Sequence, residues 1–202
     1  MIAYIIVGII AYLIGSISFS VIVSKLVGGF DVREKGSGNA GTTNVLRTLG
    51  KVPALITLIG DILKGVIAIA LAILVGKMVG KTVSEAVLVQ VASVLVVIGH
   101  MFPIFFGFKG GKGVATSLGV ITVINPLSGI ICLLFAIVLM VITKMVSLSV
   151  MLAAVLFPIL IIFFAPNYFI FALVIVLLLI YRHRANIKRI VSGNENKISF
   201  DK

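Results

Sequence analysis

Three runs of this sequence bring together small, amide-bearing and cationic side chains in patterns suited to holding phosphate. The first is Lys35-Gly-Ser-Gly-Asn-Ala-Gly-Thr-Thr-Asn44, followed closely by Arg47. Gly36 and Gly38 let a ligand approach the main chain, and consecutive amide N–H groups can form an anion-binding nest. Ser37, Asn39, Thr43 and Asn44 add donors, and the guanidinium of Arg47 is a planar fork that matches phosphate. The run also contains G-x-G-x-x-G, but the dinucleotide fingerprint needs a preceding strand and a βαβ unit, which have no place between two apolar helices. A flexible polar connector is the plain alternative; it leaves so many amides and hydroxyls among glycines unexplained.

The second run is Gly99-His-Met-Phe-Pro-Ile-Phe-Phe-Gly-Phe-Lys-Gly-Gly-Lys-Gly113. Lys109, Gly110, Gly111, Lys112 and Gly113 resemble a phosphate cradle without being a Walker A loop: no Gly stands four residues before the Gly-Lys pair, and no Ser or Thr follows Lys112. A helix starting after Gly113 would add its N-terminal dipole and amides. An ordinary basic loop accounts for the lysines but not for the glycines between them. His100, a lone histidine beside proline at a helix end, reads as structural.

The third run is Tyr181-Arg-His-Arg-Ala-Asn-Ile-Lys-Arg189, followed by Glu195. His183 and Asn186 are three apart and share a helix face. By spacing alone, a basic anchor for lipid headgroups explains this run better than a site does. Asp61 and Lys64, also three apart, lie inside an apolar stretch; ionisable residues there are costly and are paired or functional. A structural ion pair is the simpler reading.

The elements that must position these residues are membrane helices. Of 202 residues, 61% are hydrophobic and 11% charged, where soluble domains carry about a quarter charged. Mean hydropathy is +1.31. Runs of about 20 apolar residues read as spanning helices, and lipid offers backbone groups no other partners. Continuous rather than alternating apolar runs exclude a barrel. The first segment is too long, and lacks the basic start, of a cleaved signal peptide. Cys132 is the single cysteine, so no internal disulfide forms. The net charge of +11 in a chain without Trp or an aromatic-rich basic domain argues for headgroups and anionic substrates rather than nucleic acid.

The expected fold is an all-α polytopic bundle, one domain over 1–202, of about seven helices. The spans fall near 2–26, 53–75, 83–106, 127–143, 146–165 and 167–181, with a short or partly re-entrant piece at 114–124. The break at Asn125-Pro126 follows from proline's missing donor and its effect on the preceding residue. With the N-terminus outside, fourteen of the 17 Lys/Arg fall on the inner side, Lys77 and Lys81 on the outer, and Lys64 within a span. The C-terminus, where Lys202 lies, is then cytoplasmic, and all three polar runs share that face.

Taken in order, the three runs resemble the bacterial membrane acyltransferases that acylate glycerol 3-phosphate from acyl phosphate (the PlsY family). The resemblance covers nearly the whole chain, and the ordered set is specific where each motif alone is weak. Asp61, Lys64 and Gly65 look like a further family feature. Two departures, Ala40 and Ala185, fall at positions with no catalytic role. The resemblance implies transfer of a fatty acyl chain to the sn-1 hydroxyl of glycerol 3-phosphate, giving 1-acylglycerol 3-phosphate and inorganic phosphate, in the bacterial cytoplasmic membrane. It implies phosphate-binding and catalytic roles for Ser37, Arg47 and Lys112, essential roles for His183 and Asn186, an acyl phosphate site shaped by Gly110, Gly111 and Gly113, and a structural role for Glu195. Ser147 is a further candidate for the pocket. The partners implied are glycerol 3-phosphate, acyl phosphate and membrane lipids, with no cofactor and no metal.

The chemistry fits. Acyl phosphate is a mixed anhydride with a good leaving group, and the chain has neither a G-x-S-x-G elbow nor a His-x4-Asp pair. What such a reaction needs is two anionic groups held in near-attack geometry. His183 or a substrate phosphate would take the proton, and Asn186 or loop amides would face the developing oxyanion. A transporter or channel for a phosphorylated anion is the rival from another class; the polar motifs lie in loops on one face rather than at the midplane, and no inverted repeat is present. A lipid-surface scaffold explains the basic tail but not the Gly/Asn/Ser loops.

Overall fold

A computed structural model describes residues 1–80 and 83–198. Lys81 and Lys202, used above for orientation, lie outside the described residues. The chain forms two compact units, Met1–Val123 and Ile124–Lys202.

In the first unit, α1 (Ile2–Gly15) and α2 (Phe19–Gly28) are one apolar run of 27 residues interrupted at Ser16–Ser18. A polar segment then leads to the short helix α3 (Thr42–Leu49). Gly50, at φ +87°, turns the chain into α4 (Lys51–Val79), and α5 (Glu85–Met101) follows. After the glycine–lysine loop comes α6 (Val114–Ile124). The inner face of α4 carries Ala54, Thr57, Gly60, Asp61, Lys64, Gly65, Ala68, Ile69 and Ala72, while Leu55, Ile59, Leu63, Ile67 and Leu74 point outward. Ile69 apart, small and polar residues inside with large aliphatics outside is the arrangement of helices packed in lipid. A methyl on Gly15 would collide with the Val96 carbonyl, one on Gly99 with the Tyr12 carbonyl, and one on Gly119 with the Ile62 carbonyl. These glycines let α1 meet α5, and α4 meet α6, backbone to backbone.

The break in the first span frees the Ile17 carbonyl, and Lys64 Nζ donates to it at 3.0 Å. At the end of α5 the Phe102 carbonyl accepts from Tyr12 Oη at 2.9 Å. Below the polar loops, Val21, Val32, Ala40, Val45 and Ala54 form a small buried cluster with Leu49 and Phe106 against it. It anchors the first loop from both ends.

In the second unit, α7 (Pro126–Thr143) starts with Pro126 in its first turn and Asn125 Oδ1 accepting from Ser128 N at 2.8 Å. Then come α8 (Val146–Phe164), α9 (Phe169–Arg182) and α10 (Arg184–Val191), with α8 packed on α7 and α9. Phe157 and Phe171 meet edge to face at 6.0 Å. The tail returns to α7: Ile198 N donates to the Lys144 carbonyl at 2.8 Å.

The all-helical membrane fold stands as expected. Among the described residues five helical runs are long and apolar enough to cross a membrane, and the stretch from Pro166 to Val191 adds a sixth, bent by 61°. At 11 residues α6 spans about 16 Å, too short to cross a core of about 30 Å alone. The short helix α3 occupies a segment expected to be a polar loop, and α10 extends the helical turn expected at His183 and Asn186.

Candidate active site

The first loop is organised by one buried amide. Asn44 donates through Nδ2 to the carbonyls of Val32 (2.8 Å) and Lys35 (3.0 Å), and its Oδ1 accepts from Ser37 N at 2.9 Å. Both amide hydrogens are thereby committed, so Asn44, expected among the substrate donors, acts here as a clamp on the loop. Gly36, at φ +60°, sits against Asn44 so closely that a side chain there would collide with Oδ1. Gly38 follows at φ +70°. Ser37 and Gly38 are exposed and Asn39 is half-buried. Gly41 begins α3, which places Thr43 and Arg47 one turn apart on the same face, with Arg47 exposed.

The second loop folds back onto the end of α5. Gly110 N donates to Met101 O at 3.2 Å and Gly111 N to His100 O at 3.1 Å. A methyl on Gly110 would meet the His100 carbonyl, and one on Gly111 would meet both the His100 ring and the Ala40 carbonyl. Gly111 is therefore where the two loops touch. Gly113, at φ +87°, starts α6, and its carbonyl accepts from Ser117 N at 2.8 Å. Lys112 is half-buried between these glycines, whereas Lys109 is exposed. The amides at the start of α6 place the positive end of a helix dipole beside Lys112.

Beneath this loop lies the buried group Asp61, Lys64 and His100. Lys64 Nζ is 2.9 Å from Asp61 Oδ1 and 2.7 Å from His100 Nδ1. The expected Asp61–Lys64 ion pair is present, and it extends to the histidine whose carbonyl and ring support Gly110 and Gly111. The role of His100 in seating the loop escapes sequence reasoning, because Lys64 and His100 are 36 residues apart.

In the second unit, His183 stands at the joint between α9 and α10, 2% exposed, with Nδ1 2.8 Å from the Leu179 carbonyl. A carbonyl only accepts, so Nδ1 carries a proton. Asn186 Nδ2 donates to Glu195 Oε1 at 2.6 Å, Ser147 Oγ donates to the same oxygen at 2.7 Å, and Arg189 Nε donates to Oε2 at 2.8 Å. Glu195 thus ties the start of α8 to α10 and the tail. Ser147, a candidate for the substrate pocket, directs its hydroxyl hydrogen bond to Glu195. Burial alone would raise the Glu195 carboxyl, but these three hydrogen bonds and the charge of Arg189 outweigh it and hold it below its ordinary value of 4.5.

The sequence reading also passed over Asp31 and Arg33. Arg33 Nε and Nη2 bind the two Asp31 oxygens at 2.9 and 2.7 Å, while Nη1 reaches the carbonyls of Phe106 (2.6 Å) and Lys109 (3.1 Å).

The defining pattern of the family described as glycerol-3-phosphate acyltransferase matches residues 5–193. A glycerol-3-phosphate acyltransferase of Clostridioides difficile (strain 630) is 44% identical over 197 residues, covering 97% of this chain and 96% of that protein. One from Alkaliphilus metalliredigens (strain QYMF) is 46% identical over 188 residues, covering 93% and 92%. The crystal structure of PlsY (YgiH), an integral membrane glycerol 3-phosphate acyltransferase in its glycerol 3-phosphate form, superposes with a TM-score of 0.88 at 37% identity, covering 97% of this chain and 96% of that one. Its lysophosphatidic acid form gives 0.84 at 36% identity, covering 97% and 95%.

Proposed function

Since the chain belongs to the glycerol-3-phosphate acyltransferase family, an integral membrane enzyme family, we propose that it moves a fatty acyl group from acyl phosphate to the sn-1 hydroxyl of glycerol 3-phosphate. The hydroxyl oxygen forms the new ester bond to the acyl carbon. The bond from that carbon to the phosphate oxygen breaks, inorganic phosphate leaves, and 1-acylglycerol 3-phosphate remains for phospholipid synthesis.

The observation that supports this reading is the contact of the two glycine-rich loops at Gly111 and Ala40. Two anionic groups must be held close together, and here two loops suited to phosphate meet, each carrying a cation, Arg47 or Lys112. In the proposed mechanism Ser37, Arg47 and Lys112 bind phosphate oxygens. Gly36, Gly38, Asn39, Thr43, Lys109, Gly110, Gly111 and Gly113 shape the seats of the two substrates, with Asn44 holding the first loop in form. Fixed cations and amides lower the cost of bringing like charges together, and near-attack placement supplies much of the rate.

We assign residues of both units to one reaction, the chain acting as a single acyltransferase domain. His183 positions the acceptor by hydrogen bonding. Its Nε2 or a substrate phosphate takes the hydroxyl proton, and the loop amides or the second Nδ2 hydrogen of Asn186, whose first is given to Glu195, stabilise the oxyanion. The Lys/Arg distribution supports a multi-pass protein of the cytoplasmic membrane with its loops on the cytoplasmic side.

The test is phosphate release from synthetic acyl phosphate by purified protein. Release that requires glycerol 3-phosphate, yields lysophosphatidic acid and collapses in Lys112→Ala and Asn186→Ala is the expected result. No turnover by folded protein overturns the reading, and uptake of phosphorylated glycerol into liposomes would then support the transporter alternative.

A further inference from the structure

Arg33 lies outside every motif discussed so far, two residues before the first phosphate-suited loop in the chain, and its side chain reaches the second. Its guanidinium has five N–H donors in a rigid fork. Two of its nitrogens are locked on Asp31, at 2.9 and 2.7 Å, and Asp31 Oδ1 also accepts from the Arg33 amide at 3.0 Å. This anchor fixes the plane of the fork. The remaining nitrogen, Nη1, then donates to two carbonyls of the second loop, Phe106 at 2.6 Å and Lys109 at 3.1 Å. On the other side, Arg33 is joined to the first loop by the chain itself, through Glu34 and Lys35.

The two carbonyls that Arg33 holds bracket an uncommon piece of backbone. Gly107 and Phe108 are consecutive left-handed residues, at φ +65° and +59°, and Phe108 has no glycine's freedom to adopt that geometry. Such a turn persists only where its surroundings hold it. It leads directly into Gly110-Gly111-Lys112-Gly113. The charges are stable at neutral pH: hydrogen bonding from Arg33 holds the Asp31 carboxyl below its ordinary 3.8.

We propose that Arg33, oriented by Asp31, is a positioning residue that fastens the glycine–lysine loop to the first loop and so fixes where Lys112 presents its charge. The effect on turnover rests on the acyltransferase reading; the fastening itself does not. Lysine cannot replace the arginine, because a point charge cannot grip a carboxylate in two places while bridging two carbonyls.

The experiment compares wild type, Arg33→Lys, Arg33→Ala, Asp31→Asn and the double variant Asp31→Asn/Arg33→Lys by amide hydrogen exchange and steady-state kinetics in detergent. Exchange over 107–113 should quicken about tenfold or more in each single variant, with exchange over 146–191 and the unfolding temperature close to wild type. KM for acyl phosphate should rise severalfold, Arg33→Lys should not rescue Arg33→Ala, and the double variant should be no worse than its worst single, as expected of one device. Unchanged exchange over 107–113 overturns the proposal. So does activity that falls only with the folded fraction while KM stays at the wild-type value. If wild-type protein does not turn over acyl phosphate but the loop still loosens in Arg33→Lys, the fastening stands and the acyltransferase reading falls.

Discussion

The Asn186 side-chain amide donates to Glu195 at 2.6 Å. Because a carboxylate only accepts, this bond decides which way Asn186 faces: Nδ2 toward Glu195, Oδ1 away from it. The same oxygen of Glu195 accepts a hydrogen bond from the Ser147 hydroxyl. Glu195→Gln puts an amide where an acceptor of three donors stood and should lower turnover by about 10- to 100-fold, from about 2 kcal/mol of lost charge-assisted hydrogen bonding. Steady-state kinetics on folded variant checks this; wild-type kcat would remove Glu195 as an orienter of Asn186.

The depressed Glu195 carboxyl also has a pH signature. A group whose folded value lies below its unfolded value contributes stability above the unfolded value, near 4.5, and loses it as pH falls through the folded value. Thermal unfolding of wild type should therefore drop toward that of Glu195→Gln as pH falls below about 4.5, and the gap should be full at neutral pH. A gap independent of pH would contradict the assignment.

Gly111→Ala tests the contact between the loops. Its methyl meets the Ala40 carbonyl and the His100 ring, and a backbone carbonyl has little room to give. We expect a stability loss of about 1–3 kcal/mol and a turnover loss of about 100-fold as the loops separate. Thermal melts and phosphate release on the same preparation measure both.

Asn44→Ala separates a clamp from a substrate ligand. The change leaves the Val32 and Lys35 carbonyls and the Ser37 amide without the partner they now share, in a residue 1% exposed. A clamp predicts about 1–3 kcal/mol of destabilisation. Unaltered stability with a raised KM for glycerol 3-phosphate would instead make Asn44 a ligand.

Lys64→Met leaves Asp61 buried without its cation and should cost about 3–5 kcal/mol, whereas Asp61→Asn with Lys64→Met should be milder, since the uncompensated charge is gone. Detergent melting curves for the two variants give the comparison, and equal losses would argue against an ion pair.

Much of this could be read from residues alone. The spans are legible because lipid demands long apolar helices, and the Asn125-Pro126 start of α7 because proline leaves few choices. The interruption at Ser16–Ser18 was not, since serine and isoleucine are tolerated inside helices and only Lys64, far along the chain, explains the open carbonyl. The short helix α3 carries too many polar residues to register against its apolar neighbours. Site residues with side-chain chemistry stood out, but Arg33 did not: its partners in the second loop are main-chain carbonyls, which every residue has and no motif records. The same holds for His100, which supports the glycine loop through its backbone.

The hydrogen bond from Lys64 to Ile17 bears on how the chain is born. As the ribosome feeds the first span into the bilayer, that span carries an unsatisfied carbonyl at its midpoint break. The second brings the Asp61–Lys64 pair, whose ammonium has hydrogens left over after the carboxylate and is disfavoured in hydrocarbon. Each defect is the other's remedy, so the two spans are expected to enter as a hairpin rather than one after the other. A chain halted after the first span should be the less firmly embedded nascent product.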